Sequence, residues 1–262
     1  MPDKQSAALE TKNEQSESKP NTAKRFRVEK AELRRRIVSI VLLLVFVPAV
    51  IAVGMLEFND RYYYITASLI IICSFIPFLM IFEKRRPRAR ELVVIAVMTA
   101  LGVAGRAAFY MLPQFKPIAA TVIITGVSLG CEAGFITGAL TAFVSNMFFG
   151  QGPWTPWQMF AMGIIGWLAG VLYRKGVLRR GRLGLCIFGV IASTIIYGGI
   201  MNPASALMWS NTINWNILKS YYLTGVPIDL VRAIGTFFFL WLGAEPMLEK
   251  LDRIKVKYGL AE

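Results

Sequence analysis

Histidine is absent from the 262-residue chain. Its absence removes the usual general base, the Ser-His and Cys-His nucleophile pairs and most zinc sites. Cysteine is scarce: Cys73, Cys131 and Cys186 share no C-x-x-C spacing and lie in or beside apolar runs, where a small buried hydrophobe accounts for them. No G-x-x-x-x-G-K-[ST] loop occurs, so any ATP-driven work requires a partner. Charged residues make up 17% of the chain against 55% hydrophobic, an apolar share above that of soluble domains. Hydrolase, metalloenzyme and ATPase readings fall, and a lipid-embedded protein without metal or cofactor is left.

What charge there is carries information by its placement. The formal net charge is +13, yet the basic residues sit between apolar runs rather than in the stripe that would mark a nucleic-acid binder. Residues 1–36 are polar and basic and read as a disordered cytoplasmic tail. Apolar stretches at 37–56 and 63–82 each approach the roughly 20 residues of a bilayer span and form a hairpin, with Tyr62, Tyr63 and Tyr64 at its turn. A basic linker leads to position 90. Further apolar segments run at 91–112, 118–149, 154–173, 183–201 and 227–243.

The segment 118–149 is too long for one span and holds Gly130 and Gly134 near its middle. A single span would place Arg174, Lys175, Arg179, Arg180 and Arg182 opposite the Lys84–Arg90 cluster, against the positive-inside rule. Two short spans with a tight turn at 130–134 put both clusters inside. Eight spans with both termini cytoplasmic result, and of the basic residues only Arg61, Lys116 and Lys219 fall in outer loops, with Arg106 and Arg232 inside helices. Continuous apolar runs without dyad alternation exclude a barrel. The expected fold is an all-α integral membrane protein: a hairpin (37–90, with its linker) followed by a six-helix membrane domain (91–262).

Several features bear chemistry. Ala96, Ala100, Ala104 and Ala108 recur four residues apart and give a smooth helix face, suited either to packing within the chain or to an external partner. Gly134, Gly138 and Ala142, and then Gly163, Gly166 and Gly170, form similar stripes. In the outer segment from Phe148 to Gln158, glycines and prolines enforce a turn. Gln151, Trp154, Trp157 and Gln158 there offer aromatic faces and amides to a planar polar heterocycle; an interfacial tryptophan belt is the alternative.

Arg106, Asp229 and Arg232 lie in helices at one shallow layer, taking Pro113 and Pro227 as outer helix ends. Intramembrane charges of this kind either snorkel or line a cavity. Asn146 and Asn202 complete the candidate binding set. The loop 202–226, with Trp209, Trp215, Tyr221 and Tyr222, reads as a lid or an aromatic mat on the headgroups. Glu132 belongs to the inner turn, as a cap on the following helix. One membrane aspartate and no histidine leave nothing for aspartyl or serine chemistry.

From 91 to about 262 the chain resembles the S components, the substrate-binding subunits of energy-coupling factor (ECF) transporters. The likeness rests on Ala96-Val-Met-Thr-Ala100, which looks like the family's A-x-x-x-A motif, and on six remaining spans. The segment Phe149-Gly-Gln-Gly-Pro-Trp-Thr-Pro-Trp-Gln158 resembles the third loop of a branch linked to cobalamin or its precursors. The resemblance implies a vitamin-type substrate and docking of Ala96, Ala100 and Ala104 on a T subunit coupled to two ATPases. It also implies delivery by toppling within the bacterial plasma membrane. An independent secondary carrier and a ligand-free membrane scaffold are the alternatives.

Overall fold

In the computed structural model, the structure describes residues 89–210 and 214–259, all within one compact unit spanning 50–262. The expected tail and hairpin lie outside the described residues. Helices account for almost all of the described chain, and no strand occurs among those residues. Helix α1 is Ala89–Ala108, α2 Ile118–Leu129, α3 Cys131–Phe149 and α4 Thr155–Arg174. Helix α5 runs continuously over Arg182–Trp209 through a π-helical segment at Ala192–Tyr197. Helix α6 is Trp215–Tyr258. Helices α1, α4, α5 and α6 are long and apolar enough to cross a membrane.

The division of 118–149 is as expected. Helix α2 ends at Leu129, and Gly130 adopts φ 101°, a conformation that side chains resist, before α3 begins at Cys131. All twelve residues of α2 are buried, so this helix, apolar on every side, is the centre of the bundle rather than a lipid-facing span. Its two threonine hydroxyls are satisfied locally: Thr121 donates to the Ile118 carbonyl at 2.8 Å and Thr125 to the Thr121 carbonyl at 2.8 Å.

Helices α2, α3 and α4 meet backbone to backbone. A Cβ on Gly126 would sit 2.2 Å from the Gly166 carbonyl oxygen, one on Gly166 2.2 Å from that of Gly134, and one on Gly138 2.3 Å from that of Met162. The glycine stripes of α3 and α4 are therefore spent inside the chain, as small-residue faces are in membrane bundles. The alanine stripe of α1 is not. Ala96, Ala100 and Ala104 are all exposed, flanked by exposed Leu92, Val93, Val97 and Leu101.

Two expectations fail at the α5–α6 connection. The long lid over 202–226 does not exist, because α5 continues to Trp209 and α6 starts at Trp215. Pro227 is not a helix end: both it and Pro246 lie within α6. Proline forfeits one ladder hydrogen bond and usually breaks a helix. In a membrane, neighbouring helices compensate, and here α6 packs along α5 across the Pro227 region. Glycines permit that approach. A Cβ on Gly198 would meet Asp229 Oδ2 at 2.3 Å, and one on Gly225 would meet Asn202 Oδ1 at 2.3 Å.

Candidate functional site

The C-terminal end of α1, the N-terminal ends of α2 and α4 and the middle of α5 and α6 enclose a cavity of about 90 Å³. Its polar lining is Arg106, Gln114, Lys116, Gln158, Tyr197 and Arg232, over an apolar floor that includes Ile118, Ala142 and Met162. Each cation is held from behind. The Arg106 Nη1 donates to Ser145 Oγ at 2.7 Å and to Asn146 Oδ1 at 2.6 Å. Asn146, fully buried, passes its amide protons to Gln158 Oε1 at 2.9 Å and Thr155 Oγ1 at 3.1 Å. One network thus ties α1, α3 and α4 and fixes which amide atoms Gln158 presents.

Arg232 is anchored by a second network. Its Nη1 donates to Asp229 Oδ1 at 2.5 Å and its Nη2 to Gln114 Oε1 at 2.6 Å. Asn202 Nδ2 donates to the other Asp229 oxygen at 3.0 Å. The guanidinium carbon lies 4.0 Å from the centre of the Tyr197 ring, which the π-helical segment of α5 ends on. Such irregular turns recur at functional sites.

Aromatic faces back the remaining cations. Arg106 stands 5.0 Å over Phe149, Phe149 stacks on Tyr110 at 5.1 Å, and Lys116 Nζ lies 5.9 Å over Tyr110. A ring quadrupole attracts a cation without neutralising it. Among the described residues neither Arg106 nor Lys116 has a carboxylate partner, and Asp229 compensates Arg232. The cavity therefore keeps a positive excess. Burial holds the Lys116 ammonium below the ordinary lysine value of 10.5, and the charges of Arg106 and Arg232 push it the same way.

Of the residues the sequence proposes, Arg106, Gln158 and Arg232 line the cavity, and Asn146, Asp229 and Asn202 support them from behind. Gln151, Trp154 and Trp157 do not line it. Gln151 is exposed and donates to the Phe143 carbonyl at 3.2 Å. Trp154 covers Gly152 as the residue preceding α4. The indole nitrogen of Trp157 is buried without a hydrogen-bond partner. Gln114, Lys116 and Tyr197 enter the site unanticipated. A signal existed for Gln114, whose surroundings between Pro113 and Pro117 force a bent connection; it takes φ 57°, which a glutamine rarely adopts. Tyr197, inside an apolar run, had none.

Residues 90–242 match the family described as ECF transporter, substrate-specific component. The chain belongs to that family. A UPF0397 protein of Vibrio atlanticus (strain LGP32) is 28% identical over 125 residues, covering 45% of this chain and 68% of its own length. No solved structure matches. Membership makes the chain a multi-pass membrane protein and the substrate-specific subunit of an ECF transporter, which works with T and ATPase modules. The family explains why an S component needs no phosphate-binding loop of its own. The matched residues include both cation networks and the exposed alanine stripe.

Proposed function

We propose that the cavity between Arg106 and Arg232 is the substrate site, and that it takes a small planar heterocycle carrying a carboxylate or phosphate, a vitamin or vitamin precursor. The observation that carries this reading is the convergence of Arg106 and Lys116 on one cavity without a carboxylate partner. An anion supplies the missing charge, the Tyr197 ring offers a stacking face, and Gln158 reads a polar edge. At about 90 Å³ the cavity is well below the roughly 300 Å³ at which small-molecule pockets begin. The dimensions favour a benzimidazole-sized or smaller heterocycle over a corrin, which would require the outer end of the bundle to open.

The basic ends of the helices face the cytoplasm in this reading, so the cavity opens to the outside and both termini are cytoplasmic. Ala96, Ala100 and Ala104 dock on the T subunit, and the loaded subunit topples to deliver its cargo. An independent carrier is less well supported: among the described residues the carboxylate beside the cavity, Asp229, which would have to take a coupling ion, is already engaged by Arg232 and Asn202. The test is mass spectrometry of the tagged protein from its native membrane. Co-purification of a T subunit and two ATPases with a small anionic heterocycle is the expected result. Recovery of the chain alone, without ligand, would overturn it.

A further inference from the structure

Hydrogen-bond direction runs one way around the Arg106–Arg232 cavity. A guanidinium can only donate, so the Asn146 atom facing Arg106 is its carbonyl oxygen, at 2.6 Å. Asn146 is fully buried and has no second orientation open to it. Its Nδ2 must therefore donate, to Thr155 Oγ1 at 3.1 Å and to Gln158 at 2.9 Å. The Gln158 atom that receives is Oε1, and the end left over is the Nε2 amide. Gln114 is fixed in the same way: its Oε1 takes a proton from Arg232 Nη2 at 2.6 Å, which leaves its own Nε2.

Gln158 Nε2 bonds no atom among the described residues, and unlike the Trp157 indole nitrogen it is not shut off from solvent. The rest of the lining has the same polarity. Arg106 and Lys116 can only donate. Helix α2, which contributes Ile118 and Ala119 to the lining, starts without a side-chain cap, so its first N–H groups are donors too. No carboxylate lines the cavity, and both amide oxygens are already turned onto protein donors. By contrast, a second cavity of about 450 Å³ at the opposite end of the bundle, where Glu91 opens α1, mixes Arg174, Arg180 and Lys255 with Glu91 and Glu132.

Resting on the reading of the first cavity as the substrate site, we infer that Gln158 selects a heterocyclic anion whose ring edge carries a bare acceptor, a pyridine-type nitrogen or a ring carbonyl. The anionic group meets Arg106 and Lys116, and the ring acceptor receives the Nε2 proton of Gln158. A ring N–H at that edge would set donor against donor and leave both unpaired away from water. Sites built to hydrogen-bond a ligand reject such a mismatch strongly.

Calorimetric titration of the full-length protein in detergent at neutral pH tests this with four ionised probes: pyridine-3-carboxylate, pyridine-4-carboxylate, benzoate and pyrrole-3-carboxylate. The pyridines offer a bare ring acceptor at two positions, benzoate offers none, and the pyrrole offers an N–H. One pyridine isomer should bind about tenfold tighter than benzoate, the scale of one hydrogen bond, and the pyrrole should bind more weakly than benzoate. Gln158→Glu keeps an oxygen for Asn146 and turns a second oxygen to the cavity in place of the amide, ionised beside Arg106 and Lys116. All four anions should then bind more weakly, and the order of pyridine and pyrrole should invert. Gln158→Met, the second variant should the first not fold, should bring the pyridines level with benzoate. Equal affinity for the pyridines and benzoate, tighter binding of the pyrrole, or an order unchanged in the variants would overturn the selectivity while leaving the anion site standing. Failure of all four probes to bind would overturn the anion site itself, and the selectivity with it.

Discussion

Arg106 reaches two acceptors on α3 and one aromatic face, so its guanidinium is oriented before any ligand arrives. Preorganisation of that kind lowers the cost of binding. Arg106→Gln should weaken ligand binding by about 1.5 to 3 kcal/mol, the worth of a charge-assisted hydrogen bond, with little loss of thermal stability; calorimetry and melting on one preparation separate the two. Asn146→Ala should do the reverse in part. It strands Arg106 and Gln158 in a buried layer, so the melting midpoint should fall with a cost of about 1 to 3 kcal/mol, and binding should weaken as a consequence.

Lys116 adds a pH signature. Its folded value lies below 10.5 because burial and then two neighbouring arginines disfavour the charged form. The charged ammonium that an anion requires is present at neutral pH and is lost as pH rises through that lowered value. Ligand affinity should therefore decline on the alkaline side before 10.5 is reached, and Lys116→Met should flatten the decline. A titration of affinity against pH for both proteins checks the sign.

Among the elements, the glycine seam between α2, α3 and α4 and the alanine face of α1 make opposite demands. Gly166→Ala places a methyl against the Gly134 carbonyl and should destabilise by about 1 to 3 kcal/mol or more. Gly243→Ala, which meets nothing within 4 Å, should be neutral in the same melting experiment. On α1 the consequence is for assembly. Leucine at both Ala96 and Ala100 should abolish association with the T subunit in a pull-down while leaving ligand binding intact, and intact association would sink the docking assignment.

The same elements show how far a sequence reading reaches. The break inside 118–149 was legible because the charge asymmetry of the flanking loops admitted only one arrangement, and Gly130 fits it. The α5–α6 connection was not legible. Trp209, Trp215 and the tyrosines that follow imitate a loop, and Pro227 imitates a helix end, whereas packing on α5 sustains α6 through both prolines. In the site, Arg106 and Arg232 stood out because charge in an apolar run is costly. Tyr197 did not, because nothing in its apolar run marks it as the ring that meets Arg232. Trp154 and Trp157, near Gln158 in sequence, do not line the cavity themselves.

At the scale of the whole molecule, two polar cavities lie at opposite ends of the described bundle, one between Arg106 and Arg232 and the other, of mixed charge, near Lys255, with the fully buried α2 between them. In the toppling proposed above, the subunit would carry its cargo by reorienting as a body. Helix α6 bears on how such reorientation would be seen. Its 44 residues trace about 66 Å of contour, roughly twice the hydrocarbon thickness of a bilayer. A rod of that length cannot lie wholly within lipid while upright, yet it can when laid flat. The exposed Trp215 near one tip is thus a natural depth gauge: with the other five of the six tryptophans replaced by phenylalanine, lipid-borne quenchers placed at graded depths would read the tilt of the entire subunit from one residue of its own.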